Sequence, residues 1–575
     1  MKYLFLWVTF FLGLPSSLLA QKEDYSWVIP SNTVLHFTDS IPWIEEWPRR
    51  IYEITECHAS ISDSSENLIL YTNAGRWRPS FSPDTGWFNT STIRNEKHDT
   101  IINGDKVNLG ESVTNGALFL RYKDKVYLFS LDTYFTKPPV GGWRDSLYYI
   151  RPNMSIIEQI DGVWEVTTKN TILSPHRLVE RLAAVRHANG QDWWIITHDW
   201  KNNIFHVFLF KDGKIEGPFS QQTGQVFKDV GKQDNLFFTG EITVSLDGSK
   251  LLLANSANLE TREYGAELFH FDRCCGKVTF WKGLKKRKYY GASFSPNGKF
   301  IYLAPIYWHT YQYEMDAEDI EATEIQVSPD SIPREWGWRG GQFELGPDGR
   351  IYCASQSSRY IGAILYPDRK GKACEFKPDF IPYGKDGSGG LGLPSFPNYR
   401  LGALAPTYYR HDTTVCPDKK TAIGIPPDCD YAYEWSPTTG LSDTSTATPT
   451  VKINQDMTYI RRTFSPHFGC TLRYDTFFVK VLEKTVPPCT SNARPENSTE
   501  KTFTIYPNPA QETFTIRYAV QNHYHLTLLD ITGRELLSFR LNSSGEHTLD
   551  VSTLPEGIYI LKADDRFSEK LVIVR

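Results

Sequence analysis

The stretches ITVSLDGSKLLLA (242–254), ASFSPNGKFIYLA (292–304) and FELGPDGRIYCA (343–354) decide the fold of this chain. Each places Asp-Gly or Asn-Gly between two apolar runs. That dipeptide tolerates the positive φ angles of a tight turn, so it predicts a β-hairpin. The turn residues at 247, 297 and 348 stand 50 and then 51 positions apart. A period near fifty fits the four-stranded blade of a β-propeller.

Weaker copies of this unit lie upstream, at 61–71, 123–129 and 189–196, with spacings of about sixty residues. Six units predict an all-β chain that contains a six- or seven-bladed β-propeller over residues 24–404. A large irregular β-sandwich is the alternative fold. The composition favours strands and turns over helices, since 14% of residues are aromatic and the chain has 40 Gly and 34 Pro.

The same region resembles the propeller region of large secreted proteins from gliding bacteria, in which Ig-like or PKD-like modules often follow the propeller. The segments that carry the resemblance are 59–63, 67–73, 294–298, 345–352 and 392–396. It supplies no catalytic residues that can be transferred to this chain.

A second β-module is expected over residues 409–484. Its segments 433–437, 448–453, 458–460 and 468–470 resemble an Ig-like or PKD-like domain. That resemblance puts Cys416 and Cys470 where an inter-sheet disulfide could lie, with Trp435 packed nearby. Residues 485–502 are rich in Pro, Ser, Thr, Asn and charge, and this composition predicts an exposed linker.

The C-terminal residues 503–575 carry four motifs in a fixed order: FTIYPNPA (503–510), LLDITGR (528–534), LPEGIYIL (554–561) and KLVIVR (570–575). Apolar and polar residues alternate in several of its segments, which is typical of the half-buried strands of a small β-sandwich. The motifs resemble the C-terminal sorting domain of the type IX secretion system, although a purely structural β-domain is the alternative. The resemblance implies the type IX translocon as a partner, with sorting residues Tyr506, Pro507, Asn508, Pro509, Asp530, Gly533, Gly557 and Tyr559.

Residues 1–20 have the pattern of a secretory signal peptide. A basic start is followed by an apolar run from 3 to 14 and by a helix break with small residues. We find no second long apolar segment, so no transmembrane segment is expected after cleavage. The expected location is therefore secreted or on the outer cell surface, reached through the periplasm.

Charge and cysteine content narrow the range of partners. The chain has 62 Lys and Arg against 67 Asp and Glu, and a net charge of −5 argues against nucleic acid. Nine cysteines include no CxxC pair, so neither a metal nor a cofactor is predicted. Cys274 and Cys275 are adjacent, and we expect them to be buried thiols or to pair with other cysteines.

Candidate binding residues cluster around a predicted hairpin at Asn189-Gly190. His187, Trp193, His198 and Asp199 surround its turn. A four-residue loop would put the two histidines on one face, roughly 13 Å apart along the strands. That is too far for one metal ion, whose bonds to histidine are about 2 Å, although they could line a shared groove. Structural roles in hydrogen bonding and packing are the alternative.

Aromatic residues in the long loops suggest a second kind of contact. Trp336 and Trp338 could stack on a sugar or on a partner protein, while blade packing is their alternative role.

These observations predict an exported, non-catalytic binding or adhesion protein whose ligand is an unknown glycan or protein. The alternative is a propeller-based extracellular hydrolase or lyase that acts on a polymer. The enzyme would need ionisable groups that converge at the central channel.

Overall fold

A computed structural model describes the chain from residue 21 onward. The residues it leaves undescribed after that point are 31–32, 39–40, 48–55, 74–90, 111–112, 136–147, 201, 227–238, 257–262, 307–308, 331–339, 385–386, 426–430, 485–488, 490–502, 507–509, 519–523, 531–534, 542–544, 564–566 and 575. The predicted signal peptide lies outside the described residues. The chain forms two compact units, Met1–Val481 and Leu482–Arg575.

In the part of the chain that the structure describes, the propeller strands form a three-stranded sheet, a continuous twelve-stranded sheet and three four-stranded sheets. The twelve-stranded sheet consists of three consecutive groups of four strands, joined where Ile150 pairs with Leu178 and where Glu165 pairs with Ile102. We number the three-stranded sheet, these three groups and the other three sheets, in chain order, as blades 1 to 7. Blade 1 has three strands, Ser26–Ile29, Thr33–His36 and Trp43–Glu46. Blade 2 comprises His58–Ser62, Leu68–Asn73, Thr92–Asn95 and Thr100–Asp105. Blade 3 comprises Ala117–Tyr122, Lys125–Phe135, Tyr148–Ile160 and Val163–Ile172. Blade 4 comprises Leu178–Arg186, Trp193–Asp199, Ile204–Lys211 and Lys214–Gln222.

The last three blades have four strands each, and two short 3₁₀ helices, Glu321–Thr323 and Gly371–Cys374, lie among them. Blade 5 comprises Ile242–Val244, Lys250–Ala254, Ala266–Phe271 and Val278–Leu284. Blade 6 comprises Gly291–Phe294, Phe300–Ala304, Tyr311–Glu314 and Ile325–Gln326. Blade 7 comprises Gly340–Leu345, Ile351–Ser355, Tyr360–Ile364 and Phe376–Pro382. We call the first strand of each blade its inner strand.

All six sequence repeats are the hairpins of blades 2 to 7, which confirms the propeller prediction. Gly248, Gly298 and Gly349 adopt φ angles of 74°, 69° and 78°, a region that favours glycine. The Asp247 carboxylate accepts the backbone N–H of Ser249 at 3.0 Å and fixes one of these turns. The sequence missed blade 1, which lacks such a dipeptide.

Blades 1 and 7 close the ring by packing against each other. Trp27 is fully buried, and its ring lies 4.7 Å from Phe37 and 5.3 Å from Tyr352 of blade 7. The first and last parts of the propeller therefore meet through an aromatic cluster. This apolar contact holds the circle without a covalent link.

A small β-sandwich follows in the same compact unit. A four-stranded sheet contains Thr407–Val415, Ala432–Ser436, Met457–Ser465 and Cys470–Val481, and a two-stranded sheet contains Thr421–Ala422 and Thr450–Val451. Trp435, Tyr459 and Phe477 fill the core between the sheets. The buried Arg461 guanidinium donates to the buried Asp475 carboxylate at 2.8 Å, so this internal charge is paired.

The disulfide predicted between Cys416 and Cys470 is wrong. Cys470 is bonded to Cys274 of the propeller, across 196 residues and a Cα–Cα distance of 5.8 Å. Cys416 is also disulfide-bonded. The prediction failed because aromatic side chains fill the sandwich core, while Cys470 begins a strand that faces blade 5. Cys275 is half-buried.

Noncovalent contacts accompany the Cys274–Cys470 bond. Phe468 packs edge-on against Trp194 of blade 4, with 5.0 Å between the ring centroids. The Tyr431 hydroxyl donates to the Asp272 carboxylate at 2.6 Å. The contacts that fix the sandwich to blades 4 and 5 thus include a disulfide bond, an aromatic contact and a hydrogen bond.

The second unit is a separate small β-sandwich. One sheet contains Phe503–Tyr506, Thr513–Tyr518 and Gly545–Asp550, and the other contains Tyr524–Leu529, Glu535–Leu541, Gly557–Ala563 and Phe567–Ile573. The core includes Phe514, Leu528 and Tyr559, and the Tyr559 hydroxyl donates to the Pro555 carbonyl at 2.6 Å. Asp530 and Gly557 are also described, and Tyr506 ends the first strand. Pro507, Asn508, Pro509 and Gly533 lie outside the described residues.

Candidate functional site: the axial channel of the propeller

The inner strands bring a ring of polar side chains to one end of the propeller axis. Each member lies at or near the start of an inner strand, where the blades converge. The ring consists of Glu56, Thr114, Glu180, Glu241, Tyr290 and Gln342, all of them buried. One of these residues comes from each of blades 2 to 7.

Glu56 and Glu180 share one hydroxyl group. The Thr114 Oγ1 lies 3.2 Å from Glu56 Oε1 and 3.0 Å from Glu180 Oε2, and the Thr114 backbone N–H donates to Glu180 at 3.1 Å. The Tyr290 hydroxyl donates to Glu56. Burial, followed by the negative charge of Glu56, raises the pKa of Glu180 to about 8. Glu180 therefore holds a proton at neutral pH.

Glu241 is a second neutral carboxyl group on the ring. Its Oε2 accepts the backbone N–H of Ala292 at 2.7 Å and that of Phe343 at 3.0 Å, so it links blades 5, 6 and 7. Burial raises the pKa of Glu241 to about 8 although these hydrogen bonds oppose the shift. The ring thus carries two carboxyl groups that are protonated near pH 7.

Residues 391–404, which follow blade 7, run along the axis from this ring to the opposite end. Gln342 of blade 7 donates its backbone N–H to the Leu391 carbonyl at 2.8 Å. Asn115 of blade 3 then donates to Ser395 Oγ at 3.0 Å. Farther along, Asn398 donates to the Leu246 carbonyl beyond the inner strand of blade 5 at 2.7 Å. We call residues 391–404 the axial segment.

Other bonds tie the axial segment to the remaining sides of the channel. The Arg400 guanidinium makes two hydrogen bonds, of 2.7 and 2.8 Å, to the Asp24 carboxylate beside blade 1. The Tyr399 hydroxyl donates to the Phe119 carbonyl of blade 3 at 2.5 Å, and the Leu404 N–H to the Ala188 carbonyl after the inner strand of blade 4 at 2.8 Å. A segment that bonds to blades on all sides lies at the axis.

Little open space remains beside the axial segment. A Cβ atom added to Gly392 would lie 1.8 Å from the Glu56 carbonyl oxygen, so the segment's backbone touches the polar ring directly. A cavity of about 90 Å³ lies beside the axial segment, lined by Asp24, Glu241, Phe396 and Arg400 among others. Ligand sites for small molecules usually occupy about 300–1,000 Å³. The channel is therefore largely filled by the protein's own chain.

The residues predicted around the blade 4 hairpin lie mostly in the core. His187 is fully buried, accepts the Asn189 N–H at 3.1 Å and lies 3.2 Å from the Cys274 carbonyl. His198 lies 2.8 Å from the Asp199 carbonyl and packs edge-on against Phe205. The predicted four-residue loop is wrong, because Trp193 faces Arg186 and six residues, 187–192, lie between these paired positions.

Because they are buried, these predicted binding residues contact other parts of the protein. Trp193 is 1% exposed and packs under the Arg186 guanidinium, 4.1 Å from its carbon. The structure thus does not bring His187, Trp193 and His198 to one open groove. Trp336 and Trp338 lie outside the described residues. Of the four binding residues predicted at this hairpin, only Asp199 is half-buried rather than buried, and it lies close to His176 and His206.

The sequence alone did not indicate which side chains surround Glu180 in the polar ring. Glu56, Glu241 and Tyr290 come from three other blades, and no local spacing links them. The signal that could have found them is their common position next to the start of each inner strand.

An exposed aromatic patch lies on the four-stranded sheet of the sandwich. Tyr408 is 75% exposed, and its ring stacks on Tyr474 with 5.5 Å between centroids and 14° between planes. Arg410 covers Phe478 two residues along, at 4.2 Å. Thr407–Val415 is the edge strand of this sheet, so no further strand among the described residues pairs with its outer edge. We call Tyr408, Arg410, Tyr474 and Phe478 the aromatic face.

Fold and site together define an all-β protein with a propeller whose axis is occupied, a sandwich fixed to it, and a separate C-terminal β-domain. Residues 504–574 match the family described as the secretion system C-terminal sorting domain. The protein is therefore sorted by type IX secretion, and it is secreted or attached to the outer cell surface. No helix among the described residues is long and apolar enough to cross a membrane.

Among solved structures, the chain is similar to a functionally unknown protein from Desulfotomaculum acetoxidans, at 13% identity and a TM-score of 0.34, over 64% of this chain and 99% of that one. It is also similar to the Cps50 (Swd1) β-propeller domain from Myceliophteria thermophila, at 9% identity and a TM-score of 0.33, over 58% and 94%. No curated protein matches the sequence. The account of the site therefore rests on the sheets and contacts described above.

Proposed function

We propose that this protein is a non-catalytic binding or adhesion protein of the cell surface. The observation that carries the proposal is the axial segment, because it fills the space in which a propeller enzyme would hold its substrate. The ring carboxyl groups also bond to the protein itself, to Thr114, to Tyr290 and to backbone N–H groups. A channel arranged in this way supports the fold rather than turnover.

The aromatic face is the surface that we assign to binding. It joins two stacked tyrosine rings with nearly parallel planes, Tyr408 exposed and Tyr474 half-buried, to charged and hydroxyl groups, and such rings offer apolar contact with a polar edge. The ligand class that fits is an extracellular polysaccharide, whose sugars have apolar faces and hydroxyl rims. The rigid connection through Cys274–Cys470 would transmit force from this face to the propeller.

The alternative, a hydrolase or lyase, has one observation in its favour. Glu180 and Glu241 have pKa values of about 8, and perturbed carboxyl groups often occur in active sites. Their burial behind the axial segment favours the structural role, because no described path leads a polymer to them.

The test is to probe the full chain on immobilised cellulose, chitin, xylan, starch and mucin, measuring bound protein and released sugars in parallel. We expect binding to at least one polymer without product, and at least tenfold weaker binding for the Tyr408→Ala, Tyr474→Ala double variant. Tyr366→Ala is the matched control, since Tyr366 is 43% exposed on the propeller. Product release that Glu180→Gln abolishes would instead establish the enzyme.

Binding that the double variant leaves unchanged would contradict the assignment of the aromatic face.

A further inference from the structure

Three potential metal ligands meet at one end of blade 4, away from the axial channel. His176 precedes the inner strand, Asp199 ends the second strand, and His206 lies in the third. One ligand atom from each residue lies within 4.8 Å of those of the other two. No local motif links them, because the three ligands are separated along the chain by whole strands of blade 4.

Strand pairing explains the convergence. Leu178 pairs with Asp199, and Thr197 pairs with His206. Side chains two residues apart on a strand share one face of a sheet. Asp199 and His206 therefore project from the same face of blade 4, and His176, just before the inner strand, lies beside them.

His206 provides the observation that points to a ligand. Its side chain is 1% exposed, and its Nε2 atom has no hydrogen-bond partner among the described residues. The nearest acceptor, Asp199 Oδ2, is 3.6 Å away, which is too long for a hydrogen bond. A buried polar atom without a partner is costly and is rare in folded proteins. A metal ion bound between the three residues would satisfy it.

The surroundings hold the ligands as metal sites require. Ser220 Oγ lies 2.9 Å from His206 Nδ1 and fixes the ring, so that Nε2 faces the cluster. Asn202 donates to Asp199 Oδ2 at 2.7 Å, and the Trp200 N–H donates to Oδ1 at 2.8 Å.

His176 is the ligand through which the site is open to solvent. Its side chain is exposed, and its ring stacks on His206 with 4.1 Å between centroids. Zinc bonds to histidine nitrogen are about 2.0–2.1 Å. A small rotation of this exposed ring would bring its nitrogen to that distance from an ion bound by Asp199 and His206.

We propose that His176, Asp199 and His206 form a divalent zinc site on blade 4, with a fourth position open to water. Two imidazoles and one carboxylate suit zinc better than the all-oxygen preference of calcium or magnesium. The ion would join the start of the inner strand to the second and third strands. It would stabilise the edge of the blade and need not take part in binding a polymer.

The experiment titrates zinc chloride into the EDTA-treated full chain by isothermal calorimetry. We expect a site of about one equivalent that disappears in His206→Ala and weakens at least tenfold in Asp199→Asn. His176→Ala should also weaken it, and because this side chain is exposed the variant is expected to fold. His270→Ala is the matched control, since His270 is an exposed propeller histidine stacked on Trp281, outside the cluster.

Melting curves give an independent readout. Zinc at a hundredfold excess over the wild-type dissociation constant should raise the melting temperature of wild type and of His270→Ala by more than that of His176→Ala. The proposal is overturned if the full chain shows no saturable zinc binding, or if His176→Ala and His206→Ala both bind zinc like wild type.

Discussion

At the scale of single residues, burial turns ionisable side chains into neutral structural groups. Glu241 bonds to two backbone N–H groups from different blades while it keeps its proton. The propeller therefore depends on a protonation state that the unfolded chain would not keep at neutral pH. This dependence makes stability a function of pH.

We predict that Glu241→Gln changes the pH dependence of folding. The folded pKa of about 8 lies above the ordinary glutamate value of 4.5, so the folded state binds the proton more tightly. This contribution is complete below pH 4.5 and is lost as the pH rises to 8, at up to about 1.4 kcal/mol per pH unit. Glutamine mimics the neutral acid, so the variant should gain melting temperature relative to wild type between pH 5 and pH 8.

Glu318→Gln is the control, because Glu318 is exposed and its substitution should leave the pH profile unchanged. A melting-temperature difference between Glu241→Gln and wild type that stays constant with pH would refute the neutral carboxyl group.

At the scale of the elements, the ring of blades depends on the aromatic contact between blades 1 and 7. Trp27→Ala should cost about 3–5 kcal/mol, because it removes a fully buried indole and leaves a cavity. Trp43→Ala in the same blade should cost under about 1 kcal/mol, since Trp43 is 51% exposed. Chemical denaturation followed by tryptophan fluorescence measures both. Equal effects of the two substitutions would mean that contacts other than this aromatic cluster hold blades 1 and 7 together.

Hairpins were the elements that the sequence predicted best. The Asp-Gly turns at 247 and 348 specify their backbone locally, so blades 5 and 7 could be recognised from a few residues. Blade 1 has only three strands and no such turn, and Cys470 pairs with a cysteine 196 residues away. The polar ring and the His176–Asp199–His206 cluster arise from strand pairing and blade closure, which no local spacing encodes.

At the scale of the whole molecule, the C-terminal unit determines where the other domains work. A chain that lacks residues 503–575 should accumulate in the periplasm, because the sorting domain is the part that the secretion machinery reads. Cell fractionation with immunodetection measures this. A chain that lacks residues 490–502 instead keeps the sorting domain and should still reach the surface. Surface delivery of the first truncated chain would show that sorting lies elsewhere.

The occupied axis is the central claim about the propeller. Hydrogen–deuterium exchange of peptides that cover residues 391–401 tests it most directly, because their backbone and side chains bond to inner strands on all sides. The account predicts exchange as slow as that of the inner strand Leu178–Arg186. Exchange as fast as that of the exposed turn at Gly298 would show that the segment leaves the axis and that the channel is open.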